Sequence, residues 1–306
     1  MKILLTGASG LLGAAFAKAA ARRRHQVIGI VGSYQDEVEG LARQQKLDLA
    51  DAPELERSTL DLFPDAIVNC AAISRANECE AQPDHSHRIN VELPAQLGLL
   101  SRHFFAPFLH ISSEQVFDGK TAPYKVDSPT NPLTLYAQQK RNAEIEVAKI
   151  APANHITLRV PLLSGNSLPG TRSIHEQLFA AWSQGKQTPL FEDEYRQIAP
   201  IDNIADVMVE LLERDDIQGK LYHWAGEKSL SRWEMGQSLI QHFGLPETLI
   251  QRAQRGDDPR FADRQADLSM DLQPLAALLK TQAQAFGDHL DTLIVPKPFR
   301  SWYNAI

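Results

Sequence analysis

Short apolar runs alternate with longer segments of helical period over the first 160 residues. The runs are KILLT (2–6), QVIGIV (26–31), AIVNCAA (66–72), PFLHIS (107–112) and ITLRV (156–160). Each is nearly continuous in apolar residues, which is typical of strands that are covered on both faces. Such strands, separated by helices, predict an α/β fold with a doubly wound parallel sheet of the Rossmann type.

The pattern becomes less regular beyond Pro161. Residues 173–186, 204–216 and 232–244 predict amphipathic helices, and residues 219–226 predict a strand that returns to the sheet. Glycine, proline and charged residues cluster at 165–172 and 254–264, which predicts loops over a cleft. We therefore predict a dinucleotide-binding domain of residues 1–163 with about 198–225, and a smaller C-terminal substrate lobe of residues 164–197 and 226–306.

Composition and charge narrow the class of protein. The net charge of −7 in 306 residues gives no basic excess of the kind that nucleic-acid binders show. No apolar run approaches the roughly 20 residues that cross a bilayer, and the first ten residues are too short and glycine-broken for a signal peptide. Two cysteines, Cys70 and Cys79, argue against a disulfide scaffold. We expect a cytoplasmic protein without nucleic-acid or membrane partners.

A glycine-rich turn follows the first apolar run and precedes an alanine-rich helical segment. Only a residue without Cβ permits the sharp turn and lets a pyrophosphate approach the amides of the helix terminus, and the third glycine would let the helix pack on the sheet. The position directly after the first strand makes this spacing a specific signal. It predicts cofactor contacts at Gly7, Ser9, Gly10, Leu11, Leu12 and Gly13.

The end of the second apolar run bears on the choice of cofactor. An acid there commonly binds the 2′-hydroxyl of the adenine ribose, but this chain has Val31, followed by Gly32 and Ser33. The missing carboxylate removes repulsion against a 2′-phosphate, although no arginine follows immediately. The pattern favours NADP over NAD and makes Ser33 a candidate contact.

Tyr136 and Lys140 lie four residues apart at the start of a helical segment, which places them on one face. A neighbouring ammonium should lower the pKa of the phenol, and a nearby serine could hold a substrate oxygen. The pattern therefore predicts a proton-transfer site for a carbonyl or an alcohol, formed by Ser113, Tyr136 and Lys140. His85 and His87 have no companion ligand cluster, so we predict no metal site.

The chain resembles the extended short-chain dehydrogenase/reductases, and among them the dTDP-4-dehydrorhamnose reductases and the related regulatory β subunit of methionine adenosyltransferase. The matching segments are TGASGLLG, VNCAA, ISSEQVFDG, PLTLYAQQK and LRVPLLSG. The resemblance implies that Ser113 is the active-site hydroxyl, Tyr136 the acid, and Lys140 its partner and a ligand of the nicotinamide ribose.

The resemblance also implies further contacts. Asp48 and Leu49 would border the adenine, and the backbone of Ala71 and Ala72 would line the cofactor. Asn90 matches a structural asparagine. A nucleotide-sugar would bind in the second lobe, with Arg260 near its diphosphate, although Phe261 replaces a proline of the matching segment.

The residues after Ser113 restrict the chemistry. Related dehydratases carry Thr-Asp-Glu where this chain has Ser113, Glu114 and Gln115, and an amide cannot act as the general base that elimination needs. Epimerase/reductases like GDP-fucose synthase use a cysteine, but none follows Cys79. An NAD(P)H-dependent reductase of a keto-sugar nucleotide is favoured, with Glu114 as a polar substrate contact.

Two alternatives stay open. One is an NADP-binding regulatory subunit without turnover, for which the aromatic and basic tail, residues 295–306, could contact a partner protein, although a cover over part of the second lobe or a dimer surface is favoured for this tail. The other is a 4-epimerase of sugar nucleotides that keeps NAD tightly bound.

Overall fold

The computed structural model describes residues 1–259 and 261–306. A seven-stranded parallel sheet dominates the first two-thirds of the chain, in the strand order β11-β6-β5-β4-β1-β2-β3. Its strands are β1 (Lys2–Thr6), β2 (Gln26–Val31), β3 (Arg43–Lys46), β4 (Ala66–Asn69), β5 (Phe108–Ser113), β6 (His155–Val160) and β11 (Lys220–His223). The predicted doubly wound parallel sheet is confirmed.

Helices connect and cover these strands. The chain order is α1 (Leu11–Arg22), α2 (Ala52–Leu62), α3 (Ala76–Ala81), α4 (Pro83–His87), a π-helix (Arg88–Glu92), α5 (Leu93–Phe104), α6 (Leu135–Ile150), α7 (Ile174–Trp182), α8 (Ile201–Leu212), α9 (Arg232–Phe243), α10 (Leu275–Leu278) and α11 (Arg300–Tyr303). Short 3₁₀ turns lie at Glu114–Val116, Glu247–Leu249, Arg255–Asp257, Gly287–Thr292 and Lys297–Phe299. No helix in these described ranges is long and apolar enough to cross a membrane.

Alternate residues of the central strands enter two different cores. Ile3 and Leu5 of β1 pack with α1 and α8, while Leu4 between them packs with α2 and α5. Because both faces are buried, the strands must be apolar throughout, which explains the continuous runs in the sequence. The polar strand β3 has no such run because it lies at the edge of the sheet, and the apolar pattern did not predict it.

A third core lies apart from the sheet. It is centred on Phe179, Trp182 and Phe243, from α7 and α9, and part of the C-terminal tail, including Trp302 and Tyr303, packs against it. Three two-stranded ladders border this region: β7 (Leu163–Ser164) with β10 (Ala199–Pro200), β9 (Tyr195–Arg196) with β12 (Leu230–Ser231), and β8 (Thr188–Phe191) with β13 (Ile250–Ala253). The elements from β7 to β10, together with those that follow β11, thus build a second packed layer beside the sheet.

Candidate active site

A large cleft of about 1680 Å³ opens at the carboxyl ends of the parallel strands. In open α/β sheets, this edge is where ligands bind. Nine of the predicted site residues line the cleft: Gly10, Leu11, Leu12, Ala71, Ala72, Ser113, Glu114, Tyr136 and Lys140. The fold therefore brings together residues that are dispersed over the first half of the chain.

The glycine turn is a close contact between backbones. Gly7 has a φ of +70°, and a Cβ there would lie 2.6 Å from the amide nitrogen of Ala71. A Cβ on Gly13 would lie 2.2 Å from the carbonyl oxygen of Gly7. Gly13 thus allows α1 to pack closely on the turn, at the end of the strand that the helix covers. Gly10 caps α1 without a side-chain hydrogen bond, which leaves the first amides of the helix open to the cleft. The cradle fits a pyrophosphate.

Other predicted cofactor contacts lie outside the cleft lining. Ser33 is exposed just beyond β2, Asp48 accepts a hydrogen bond of 3.0 Å from the amide of Ala50, and Leu49 is half-buried. The β2–β3 pairing places the exposed Lys46 beside Val31, so a cation does stand next to the end of β2. The predicted substrate residue Arg260 lies outside the described residues.

The two serines at the end of β5 have different partners. The hydroxyl of Ser112 donates to buried Glu144 at 2.6 Å, and Glu144 also pairs with Arg159. The hydroxyl of Ser113 instead accepts from the amide of Gln115 at 3.2 Å and lies near enough to Tyr136 to lower the pKa of that phenol. Ser113 is therefore the hydroxyl available to a ligand.

Tyr136 and Lys140 lie on the buried face of α6, as their spacing predicts. Burial raises the pKa of Tyr136 to about 12, and the nearby Ser113 hydroxyl opposes that rise only in part. Burial lowers the pKa of Lys140 to about 8, against the charge of Glu144, and its ammonium donates to the carbonyl of Ile111. The expected lowering of the phenol pKa is therefore wrong: the phenol is desolvated and stays protonated at neutral pH.

Glu114 is a buried carboxyl with one oxygen unused. Its Oε1 accepts from the amide of Leu162 at 3.2 Å and lies 3.5 Å from Nε of Arg196, while Oε2 has no hydrogen-bond partner among the described residues. Burial raises the pKa of Glu114 to about 7, opposed by the charges of Arg196 and Arg232. Glu114 lines the cleft beside Ser113, which places it near a polar ligand group.

An arginine cluster forms the other side of the cleft. It comprises Arg196, Arg232 and Arg264, which all bind the fully buried Glu194 and all line the cleft. Burial alone would raise the pKa of Glu194, but the hydrogen bond from Arg264 and the charges of the three arginines lower it to about 2. Nη1 of Arg232 is buried without a partner among the described residues.

Sequence reasoning missed this cluster. Its members come from β9, α9 and a loop, and nothing in their local spacing marks them as neighbours. The nearest signal is the charged segment 254–264, which contains Arg264 as well as the predicted Arg260.

Asn90 has a structural role in the π-helix. Its amide group accepts from the N–H of Ile73 at 2.9 Å and donates to the carbonyl of the same residue at 3.0 Å. It also donates to Gln139 at 2.8 Å. Asn90 thus holds the segment after β4 against α6 and keeps that side of the cleft in place.

The parallel sheet and the cleft at its carboxyl edge together define a Rossmann-like α/β protein. A family model described as "RmlD substrate binding domain" matches residues 1–297, and the chain belongs to that family. It is 31% identical over 251 residues to methionine adenosyltransferase 2 subunit beta of Xenopus tropicalis, a match that covers 80% of this chain and 73% of that protein.

Two further relatives extend over almost the whole chain. A probable low-salt glycan biosynthesis reductase of Haloferax volcanii is 25% identical over 297 residues, covering 96% of this chain and 97% of that protein. The crystal structure of a hypothetical dTDP-4-dehydrorhamnose reductase from Sulfolobus tokodaii superposes with a TM-score of 0.80 at 27% identity, covering 96% of this chain and all 100% of that one.

Proposed function

We propose that this protein is an NAD(P)H-dependent reductase that acts on a keto-sugar nucleotide. The observation that carries the proposal is the buried Tyr136 phenol near the Ser113 hydroxyl, in a cleft that continues to the glycine turn. The phenol is protonated at neutral pH and so holds a proton to give, while its raised pKa makes it a weaker acid than a phenol in water.

Each residue of the set has a distinct task. A bound nicotinamide would supply the hydride. The hydroxyl of Ser113 holds the substrate carbonyl oxygen, and Tyr136 delivers its phenolic proton to that oxygen. Lys140, buried on the same helix face, supplies positive charge near the phenolate that forms and binds the nicotinamide ribose. Gln115 cannot remove a carbon-bound proton, so elimination is disfavoured.

We infer that the cofactor is NADP in preference to NAD. Two features support this: β2 ends in an apolar residue, Val31, and the register of β3 places Lys46 beside it. A lysine near the 2′-phosphate would favour the phosphorylated ribose. Ser33, Asp48 and Leu49 remain predicted contacts of the adenosine half.

We infer that a nucleotide-sugar binds between two structural units. Residues 1–163 with about 198–225 would form the dinucleotide-binding unit, because α8 and β11 pack on the sheet. Residues 164–197 and 226–306 would form the substrate unit around the third core. The arginine cluster then faces the sheet across the cleft, where its surplus positive charge suits an anionic substrate. Two free thiols, Cys70 and Cys79, agree with a cytoplasmic protein.

The test is the oxidation of NADPH and of NADH with a panel of 4-keto-6-deoxy sugar nucleotides. For the wild-type protein we expect stoichiometric oxidation with at least one member, and for Tyr136→Phe a loss of about 10²–10⁴-fold in kcat with dinucleotide binding retained. A 4-epimerase would instead show no net oxidation. Equal rates for the wild-type protein and Tyr136→Phe would refute the assigned proton donor.

A second candidate is a regulatory subunit that binds NADP without turnover. The specific observation in its favour is the 31% identity to a protein named as a subunit of methionine adenosyltransferase. Such a protein would bind NADPH, leave it unconsumed with every member of the panel, and form a complex with a partner enzyme. A homodimer is the other assembly to test, by sedimentation of the purified protein.

A further inference from the structure

A loop from the region of the third core reaches across the cleft to the glycine turn. Residues 165–173 join β7 to α7, and Nη1 of Arg172 donates a hydrogen bond of 2.9 Å to the carbonyl oxygen of Ser9. Arg172 also lines the cleft together with Gly10 and Leu11, the first residues at α1. A guanidinium that is 163 positions away in sequence therefore lies against the turn.

The loop is organised around one buried carboxylate. Glu176, in the first turn of α7, accepts from the amides of Ser167 at 2.7 Å, Arg172 at 2.7 Å and Ser173 at 2.9 Å, and from the hydroxyl of Ser167 at 2.6 Å. Four bonds to one carboxylate fix the backbone at Arg172 before any ligand arrives. The backbone at Arg172 and the bond of its side chain to Ser9 are then in place before binding, which lowers the entropy cost.

The glycine turn attracts the positive charge of Arg172 only when an anion is bound there. The turn from Gly7 to Gly13 carries no charged side chain, and the first turn of α1 has no acid. Its amides provide partial positive charge, whereas a pyrophosphate carries about two full negative charges. Within residues 1–259 and 261–306, Arg172 forms no ion pair with a carboxylate, so its charge is available.

We propose that Arg172 is a cofactor-binding residue, which donates to the pyrophosphate oxygens of the dinucleotide and holds the loop 165–173 over the glycine turn. The inference rests on the proposed binding of NAD(P). The present bond to Ser9 is made to a neutral carbonyl, and a charge-assisted bond to a phosphate oxygen is stronger. The planar fork of the guanidinium has further donors that can serve both acceptors together.

The test compares dissociation constants of NADPH and NADH, measured by calorimetry, for the wild-type protein, Arg172→Gln and Arg172→Lys. The matched control is Arg300→Gln, which removes an exposed arginine of the same region that does not line the cleft. We expect Arg172→Gln to raise both dissociation constants by about tenfold to a hundredfold, since a hydrogen bond to a charged group is lost. The dissociation constants of Arg172→Lys should lie between those of the wild-type protein and Arg172→Gln. Those of the control should equal the wild-type values.

Thermal unfolding without ligand distinguishes a role of Arg172 in binding from a role only in stabilising the folded protein. A lower unfolding temperature in Arg172→Gln with unchanged dissociation constants would overturn the inference. So would a loss confined to NADPH, because the 2′-phosphate would then be the partner. If the wild-type protein bound neither dinucleotide, the proposed function would fail together with the inference. If the wild-type protein binds the dinucleotides and Arg172→Gln binds them with the same dissociation constants, the inference is refuted while the proposed function stands.

Discussion

The two sides of the cleft are built in different ways. The sheet side consists of backbone and small residues, such as Gly10 and Ala71, whose positions follow from the strand ends and the glycine turn. The opposite side consists of long arginine side chains that hold their positions by sharing one buried carboxylate, Glu194. The first side is fixed by local chain geometry. The second depends on charge compensation among distant segments.

The largest effect is expected from Glu194→Gln, which breaks the arginine side. Three guanidinium groups would lose their shared counter-charge, and within the part of the chain that the structure describes only Arg196 keeps another carboxylate, Glu114. Breaking a buried ion pair costs about 3–5 kcal/mol of unfolding free energy. Denaturant unfolding measures the loss. Glu192→Gln is the control, because Glu192 pairs with Arg252 nearer the surface and should cost less than about 1 kcal/mol. Equal losses in the two variants would contradict the role given to Glu194.

Glu114→Gln tests how burial of a carboxyl in the cleft makes the free energy of unfolding depend on pH. The folded state holds the Glu114 proton more tightly than the unfolded state, since the pKa rises from 4.5 to about 7. The wild-type protein should therefore lose up to ~3 kcal/mol of unfolding free energy as pH rises from 4.5 to 7, and the variant should lack this contribution. Unfolding at several pH values measures the difference, with Glu227→Gln, at an exposed site, as the control. Parallel curves for the wild-type protein and Glu114→Gln would show that Glu114 does not titrate in this range.

Gly7→Ala breaks the sheet side. The left-handed φ of +70° and the approach of the new Cβ to Ala71 both oppose the substitution. We expect a loss of about 1–3 kcal/mol from the backbone strain, together with weakened dinucleotide binding. At Gly32 a Cβ meets nothing within 4 Å, so Gly32→Ala should be close to neutral. A stable Gly7→Ala variant that binds NADPH normally would contradict the cradle described here.

The smallest effect is expected from Lys46→Ala, at the adenine end of the sheet side. Removing an exposed cation beside Val31 should weaken NADPH binding by about twofold to fivefold and leave NADH binding unchanged. Titration with both dinucleotides measures the change. Arg43→Ala, at the other end of the same strand, is the control. An equal change for NADPH and NADH would remove Lys46 from the explanation of the cofactor preference.

The sequence by itself determined the sheet, the glycine turn and the facing of Tyr136 and Lys140. These features depend on local rules: buried parallel strands are continuously apolar, a left-handed turn requires glycine, and residues four apart share a helix face. A family resemblance carried by short motifs added the roles of Ser113, Ala71 and Ala72.

Only the tertiary structure decided the electrostatics and the opposite side of the cleft. The spacing of Tyr136 and Lys140 suggested a lowered phenol pKa, but burial, which depends on the whole fold, raises it to about 12. Arg172 meets Ser9, and Arg264 meets Glu194, across chain separations that no local pattern encodes. Long side chains reach their partners through the folded backbone, so their neighbours follow from the packing of distant segments.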